Sequence, residues 1–263
     1  MLSAGDRFGD YVVDEALGRG GSATVYRVHD AENPARVVAL KALDEHNRDR
    51  AHVARLRREF EFANGLDHPH LVTVYERGPG WLTMELIAGG GVQHLRTVPD
   101  RLAALGQIAD ALDYVHNRAI VHCDVKPANI LVEPDGSRAV LIDFGVAVTV
   151  SDDICRRPTQ VEASLPYSAP ELLAGRAPSE ATDEYALACT AIELITGAPP
   201  FQVDSRVGLV DAHLHRPPPR LSREIDWLPR AFDSIMAKAL SKAPTDRYQS
   251  CREFIALITR ALL

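Results

Sequence analysis

His122-Cys123-Asp124-Val125-Lys126-Pro127-Ala128-Asn129 and, after two short apolar runs, Asp143-Phe144-Gly145 are the residues whose types and spacing can do chemistry. Ile130-Leu131-Val132 and Ala139-Val140-Leu141-Ile142 bracket Pro134-Asp135-Gly136, the composition of a β-hairpin, and such a hairpin sets Asn129 beside Asp143. An amide oxygen and a carboxylate are hard ligands of the kind Mg²⁺ takes when phosphates and water fill its other positions. Asp124 is then left for the hydroxyl that attacks, and the expected chemistry is phosphoryl transfer.

A second motif fits the same chemistry. Leu17-Gly18-Arg19-Gly20-Gly21-Ser22-Ala23-Thr24-Val25 places glycines where a backbone must approach phosphates, although such a run also marks plain tight turns. The residues after these glycines alternate like a strand. That excludes a dinucleotide-binding turn or a P-loop, both of which need a helix N-terminus at the phosphates, and leaves a strand-loop-strand flap.

Short strand-like runs, Tyr11-Val13, Thr24-Val28, Arg36-Leu40, Leu71-Tyr75 and Trp81-Leu86, surround one helical segment from about Asp49 to Leu66. In that helix Val53, Leu56, Phe60, Ala63 and Leu66 form an apolar stripe that contains Glu59 and leaves Glu61 outside. An acid facing a sheet needs a cation, and Lys41 at the end of Val38-Ala39-Leu40-Lys41 is the candidate. After Gly89-Gly90-Gly91 the texture turns helical, beginning with Leu102, Leu105, Ile108, Ala109, Leu112 and Val115. The fold class expected is α+β. One domain spans 1–263, with a small antiparallel-sheet lobe over about 1–87 and a larger, mainly helical lobe over about 88–263.

Together these motifs resemble the protein kinase family over nearly the whole chain, and in particular its bacterial eukaryotic-like (Hanks-type) Ser/Thr members. The resemblance implies a protein-serine/threonine kinase that uses ATP with Mg²⁺, or Mn²⁺ in its place, and acts on Ser or Thr of protein substrates. It implies that Leu17, Gly18, Gly20, Gly21, Val25, Ala39, Lys41 and Leu131 contact ATP, with Met84 behind the adenine and the backbone of Glu85 and Ile87 at its edge. Asn129 and Asp143 would hold the metal, Asp124 would orient the substrate hydroxyl, and Lys126 would offset charge on the transferring group. Lys41 and Glu59 would pair. Ser164, near the end of an activation segment before Ala169-Pro170-Glu171, would bridge Asp124 and Lys126. Glu171 would pair with Arg247, Asp183 would hold the catalytic-loop backbone, and His122 would support it. Small-lobe pairing into a homodimer is a further family trait.

Two rivals share parts of this pattern. A pseudokinase binding module keeps the fold but usually loses groups of the kind that Lys41, Glu59, Asp124, Asn129 and Asp143 supply here. Small-molecule kinases of the aminoglycoside phosphotransferase type share His-x-Asp and a later Asp-x-Gly but lack the segment that ends in Ala169-Pro170-Glu171.

Two positions depart from the family pattern. Ala23 stands at the third glycine, and Cys123 stands where an arginine usually receives an activation-segment phosphate. A phosphate on Thr159 therefore lacks its main partner, and activity is expected not to depend on it.

The net charge of −7 is spread over mixed-sign segments, which argues against a nucleic-acid surface, and no apolar run is long enough to span a membrane. Cys123, Cys155, Cys189 and Cys251 lie far apart without metal-ligand spacing, consistent with a reducing cytoplasm. His116, His213 and His215 read as ordinary surface or packing residues.

Overall fold

Period-two alternation turns the first part of the chain into a sheet. Residues 2–149 and 162–263 are described by the computed structural model, so Cys155 and Thr159 lie outside the described residues. Strands β1 (Arg7–Phe8), β2 (Tyr11–Arg19), β3 (Ala23–Asp30) and β4 (Val37–Leu43) precede helix α1 (Arg50–Ala63), and β5 (Val74–Gly78) and β6 (Trp81–Met84) come after it. They form one antiparallel sheet in the order β1-β2-β3-β4-β6-β5. One face buries Tyr11, Val13, Tyr26, Val28, Val38, Leu40 and Ala42 in a common apolar cluster, and Phe8 and Trp81, edge to face with each other, pack against it.

The register assigns the other face. Gly18 lies opposite Val25, Val25 opposite Lys41, and Ala39 opposite Met84, so these residues share one side of the sheet. The strand expected over Leu71–Tyr75 begins later, at Val74, because the Leu71 amide closes a turn onto the His68 carbonyl. Helix α1 starts where Asp49 accepts the amides of Ala51 and His52.

Helix α2 (Val98–His116) begins at the Thr97 cap. Next come strands β7 (Ile120–Val121), β8 (Ile130–Val132), β9 (Ala139–Leu141) and β10 (Val148–Thr149), then helices α3 (Pro170–Leu173), α4 (Glu180–Thr196), α5 (Arg206–His215), α6 (Arg230–Ala239) and α7 (Cys251–Leu262). Strands β8 and β9 pair as the expected hairpin, with Ile130 opposite Leu141, and Gly136 takes the positive φ of 72° that its turn needs. Strand β10 pairs with β7.

Helix α4 is buried almost all round. It starts three residues earlier than Asp183, where the Ser179 amide donates to Thr182 Oγ1 at 3.0 Å, and ends at Gly197 with φ 91°. Helices α2 and α6 pack on α4, and α7 packs on α2 and α6.

The chain divides into two compact units. One holds Met1–Ala88 with Asp143–Gly145, and the other holds Gly89–Ile142 with Val146–Leu263. Among the described residues no helix is long and apolar enough to cross a membrane.

Within the second unit, Arg247 Nη1 and Nη2 donate to Glu171 at 2.8 and 2.9 Å, and Thr182 Oγ1 donates to the same carboxylate. Both partners of the ion pair are 2% exposed. Burial pushes the Glu171 pKa up, but the Arg247 guanidinium outweighs it and the net shift is downward. Removing one partner of a buried pair strands the other charge, which costs about 3–5 kcal/mol. Arg247→Met is therefore expected to lower the urea midpoint sharply, and Glu171→Leu with Arg247→Met to recover much of the loss, as read by circular dichroism.

Candidate active site

On β4 the pleat carries Lys41 to the face opposite the apolar cluster, and on α1 the helical period brings Glu59 inward with Leu56 and Ala63. Lys41 Nζ donates to Glu59 Oε1 at 2.6 Å and Oε2 at 2.8 Å and lies 3.4 Å from Asp143 Oδ2. Burial opposes the charge on Lys41, yet Asp143 and Glu59 outweigh it and raise its pKa. Burial pushes Glu59 up to about 7; Lys41 pulls against that shift and Asp143 adds to it.

Asp143 sits at φ 70°, a left-handed conformation unusual for a residue with a Cβ, and its Oδ1 accepts the Gly145 amide at 3.1 Å. A Cβ on Gly145 would meet Arg55 Nε at 2.8 Å and Asp143 Oδ1 at 3.0 Å, so only glycine lets the Arg55 side chain lie there. Arg55 is one helical turn before Glu59, and its positive charge favours the ionised form of that carboxylate. That spacing was the signal that could have drawn attention to it.

The glycine-rich loop is tied down by Asp44, a residue with no motif to mark it in the sequence. Asp44 accepts Arg19 Nη2 at 3.1 Å and Thr24 Oγ1 at 2.8 Å, while its own amide donates to the Ser22 carbonyl. Gly20 N donates to Ala23 O at 2.8 Å, which closes the turn. The methyl group of Ala23 is buried without disturbing this arrangement. Glu85 N donates to the Thr73 carbonyl at 2.8 Å, and Met84 and Ile87 are buried beside it in the chain, whereas Leu17 is 47% exposed. Leu131, on β8, lies opposite Val140.

The second unit holds the proton-handling groups. Asp124, 8% exposed, accepts Lys126 Nζ at 2.8 Å and Asn129 Nδ2 at 3.0 Å on Oδ2, while the Ser164 hydroxyl donates to Oδ1. Lys126 Nζ also donates to Ser164 Oγ at 2.9 Å, so the hydroxyl joins acid and amine. Asn129 spends its second N–H on the Asp124 carbonyl at 2.8 Å, which leaves Oδ1 as its available donor atom. The Ile142 amide donates to the Asn129 carbonyl at 2.9 Å, so Asn129 is held opposite the residue that precedes Asp143 in the chain. The amide oxygen of Asn129 and the carboxylate of Asp143 are each, by type, a hard ligand of the kind Mg²⁺ takes.

The loop backbone is fixed from beneath. Asp183, fully buried on α4, accepts the amides of Cys123 at 2.6 Å and His122 at 2.7 Å. His122 takes the Asp124 amide on Nδ1 and reaches the Ile142 carbonyl with Nε2. His116 corrects the reading of it as an ordinary residue, since its Nε2 lies 2.9 Å from Asp183 Oδ2. Its place four residues after Leu112, on the apolar side of α2, was the available signal. His213 is also buried and bonds the Tyr185 hydroxyl, whereas the His215 side chain is mostly exposed.

The chain is also similar to known proteins. A family model described as the protein kinase domain matches residues 11–256. The Mycobacterium tuberculosis serine/threonine-protein kinase PknJ is 38% identical over 99% of this chain and 47% of its own length. PknF of the same species is 37% identical over 96% of this chain and 56% of its own, so the chain spans about half the length of these curated relatives. A crystal structure of a cysteine-to-alanine mutant of the M. tuberculosis PknI kinase domain superposes with a TM-score of 0.75 at 33% identity, covering 99% of each chain.

The raised Glu59 pKa fixes a pH dependence. A carboxyl whose folded pKa lies above its unfolded value stabilises the fold below the unfolded pKa, and that stabilisation is lost as pH rises through the folded one. The ordinary value here is 4.5 and the folded value about 7. Glu59→Gln is therefore expected to cost less stability at pH 8 than at pH 5. In nucleotide-turnover assays kcat/KM should fall on the acid side of about pH 7, and the variant should lose that limb as well as most of its activity.

Proposed function

The chain belongs to the protein kinase family, and from that premise we propose that it transfers the γ-phosphoryl group of ATP to Ser or Thr hydroxyls of proteins. The observation that carries the proposal is the Ser164–Asp124–Lys126 arrangement, in which an acid that can take a proton and an amine that can offset charge are held by one hydroxyl. The substrate hydroxyl approaches Asp124 Oδ1, whose remaining lone pair orients it and draws on its proton. Lys126 stabilises charge on the transferring group. Lys41, kept cationic by its two acids, holds the α- and β-phosphates, and the sheet face carrying Val25, Ala39 and Met84 takes the adenine. Mg²⁺, or Mn²⁺, held by Asn129 and Asp143, supplies charge neutralisation at the phosphates. The domain works where ATP and reduced thiols are present, which we place in the cytoplasm, and pairing through the small lobe is the homodimer we would test.

Radiolabelled ATP with a generic basic protein tests the reading. The wild type is expected to label Ser and Thr, while Asp124→Asn and Lys41→Met should each lose about 10²- to 10⁴-fold in rate. Equal incorporation by all three proteins would reject the mechanism. Cys123 makes a second outcome specific to this chain, because a thiol has no guanidinium fork for phosphate. Activity is expected to survive phosphatase treatment and Thr159→Ala, and Cys123→Arg to introduce a dependence on Thr159 phosphorylation. Wild-type protein that is inert until Thr159 is phosphorylated would overturn this.

A further inference from the structure

Three donor types that are scattered in sequence converge away from the site already described. Asp113 and His116 are one turn apart on α2, and Cys251 opens α7. A carboxylate oxygen, a ring nitrogen and the sulfur lie within 4.8 Å of one another. The group adjoins a cavity of about 390 Å³ that His116 and Cys251 line together with Glu180, Glu184 and Tyr248, and no Lys or Arg lines it. Cys251 is 1% exposed, and among the described residues its sulfur makes no hydrogen bond. Glu184, 2% exposed, has the Tyr248 amide as donor at 3.0 Å, and burial pushes its pKa up to about 8. Arg247 and Lys238 act on Glu184 from outside the cavity lining, Arg247 being bonded to Glu171 and Lys238 lying over the Tyr248 ring, while the Arg252 side chain pairs with Asp110. The surroundings of the cavity are rich in acids and poor in cations.

We propose that Asp113, His116 and Cys251 form a binding site for a divalent transition-metal ion of the Zn²⁺ type. The donors are already oriented. His116 Nε2–H donated to Asp183 leaves Nδ1 with its lone pair, and a carboxylate behind a ligating imidazole is the usual outer-shell support of a metal histidine. Asp113 is held by the amides of Cys251 at 2.9 Å and Arg252 at 3.2 Å, which fixes its carboxylate beside the sulfur. A thiolate with an imidazole selects a borderline-soft cation over Mg²⁺ or Ca²⁺. One thiolate and one carboxylate balance a divalent ion, and the cavity admits water as a fourth ligand. Binding forms the metal–sulfur bond and releases the thiol proton to solvent, so affinity rises with pH. Because Asp183 also holds the amides of His122 and Cys123, the ion would act on the carboxylate that fixes the catalytic loop.

Titration of full-length protein with Co²⁺, without nucleotide or Mg²⁺, tests this through the absorption that a thiolate–Co²⁺ bond produces. A saturable band at one equivalent is expected in wild type and in Cys123→Ser, and it should vanish in Cys251→Ala. Zn²⁺ should displace the band and raise the melting temperature of the wild type but not of Cys251→Ala, a variant expected to keep its fold and basal activity. Absence of the band in wild type, or its persistence in Cys251→Ala, would overturn the assignment.

Discussion

The carboxylate of Asp183 is the constraint on which the catalytic loop depends. It is fully buried, and an ionised carboxylate in such a place is costly unless donors satisfy it. Burial alone pushes its pKa up, but His116 and the loop amides outweigh that and hold it below the ordinary value. In return it pins Cys123 at φ 66°, a left-handed conformation that a residue with a Cβ rarely adopts. The side chain of Asp124 takes its direction from that backbone. Its anchor is rigid in turn, because α4 is buried along its length and stopped at both ends by a capping residue and a left-handed glycine.

Parts of this arrangement were legible in the sequence because they are local or periodic. Pro134-Asp135-Gly136 between apolar runs gives the β8–β9 hairpin, and the stripe on α1 turns Glu59 inward, where it meets Lys41 at 2.6 Å. The pairing of Glu171 with Arg247 came from family likeness alone, since nothing local links residues so far apart in the chain. The Asp44 clamp and the Asp183–His116 contact were missed for the same reason. Each joins segments that meet only once the fold exists, and an aspartate after a strand or a histidine at a helix end looks ordinary in sequence. The cysteines show this limit most clearly: linear spacing argued against a ligand set, while packing of α2 against α7 brings Cys251 to Asp113 and His116.

Two kinds of electrostatics operate in the two units. In the first, Lys41 and Arg55 face Glu59 and Asp143, so each charge is held by opposite ones and the set stays sensitive to anything that adds or removes charge. The phosphates of the ATP proposed above would be such an addition. In the second, Glu171 and Arg247 are shut away and locked by several bonds, an arrangement suited to support and not to response.

The same contrast explains what Cys123 changes. An arginine at that position would give the loop a cation directed outward, and its charge would need an anion to settle it. A thiol makes no such demand, and Cys123 Sγ turns to the Val121 carbonyl at 3.6 Å. Both Asp124 oxygens are then held by groups at hand: Lys126 and Asn129 from the loop itself and Ser164 from the segment before α3. The acid is oriented by bonds among the described residues. The loop is tied to α4 twice, by Asp183 at the Cys123 amide and by Thr190 Oγ1 at the Val125 carbonyl, and Asp183 in turn meets His116 on α2.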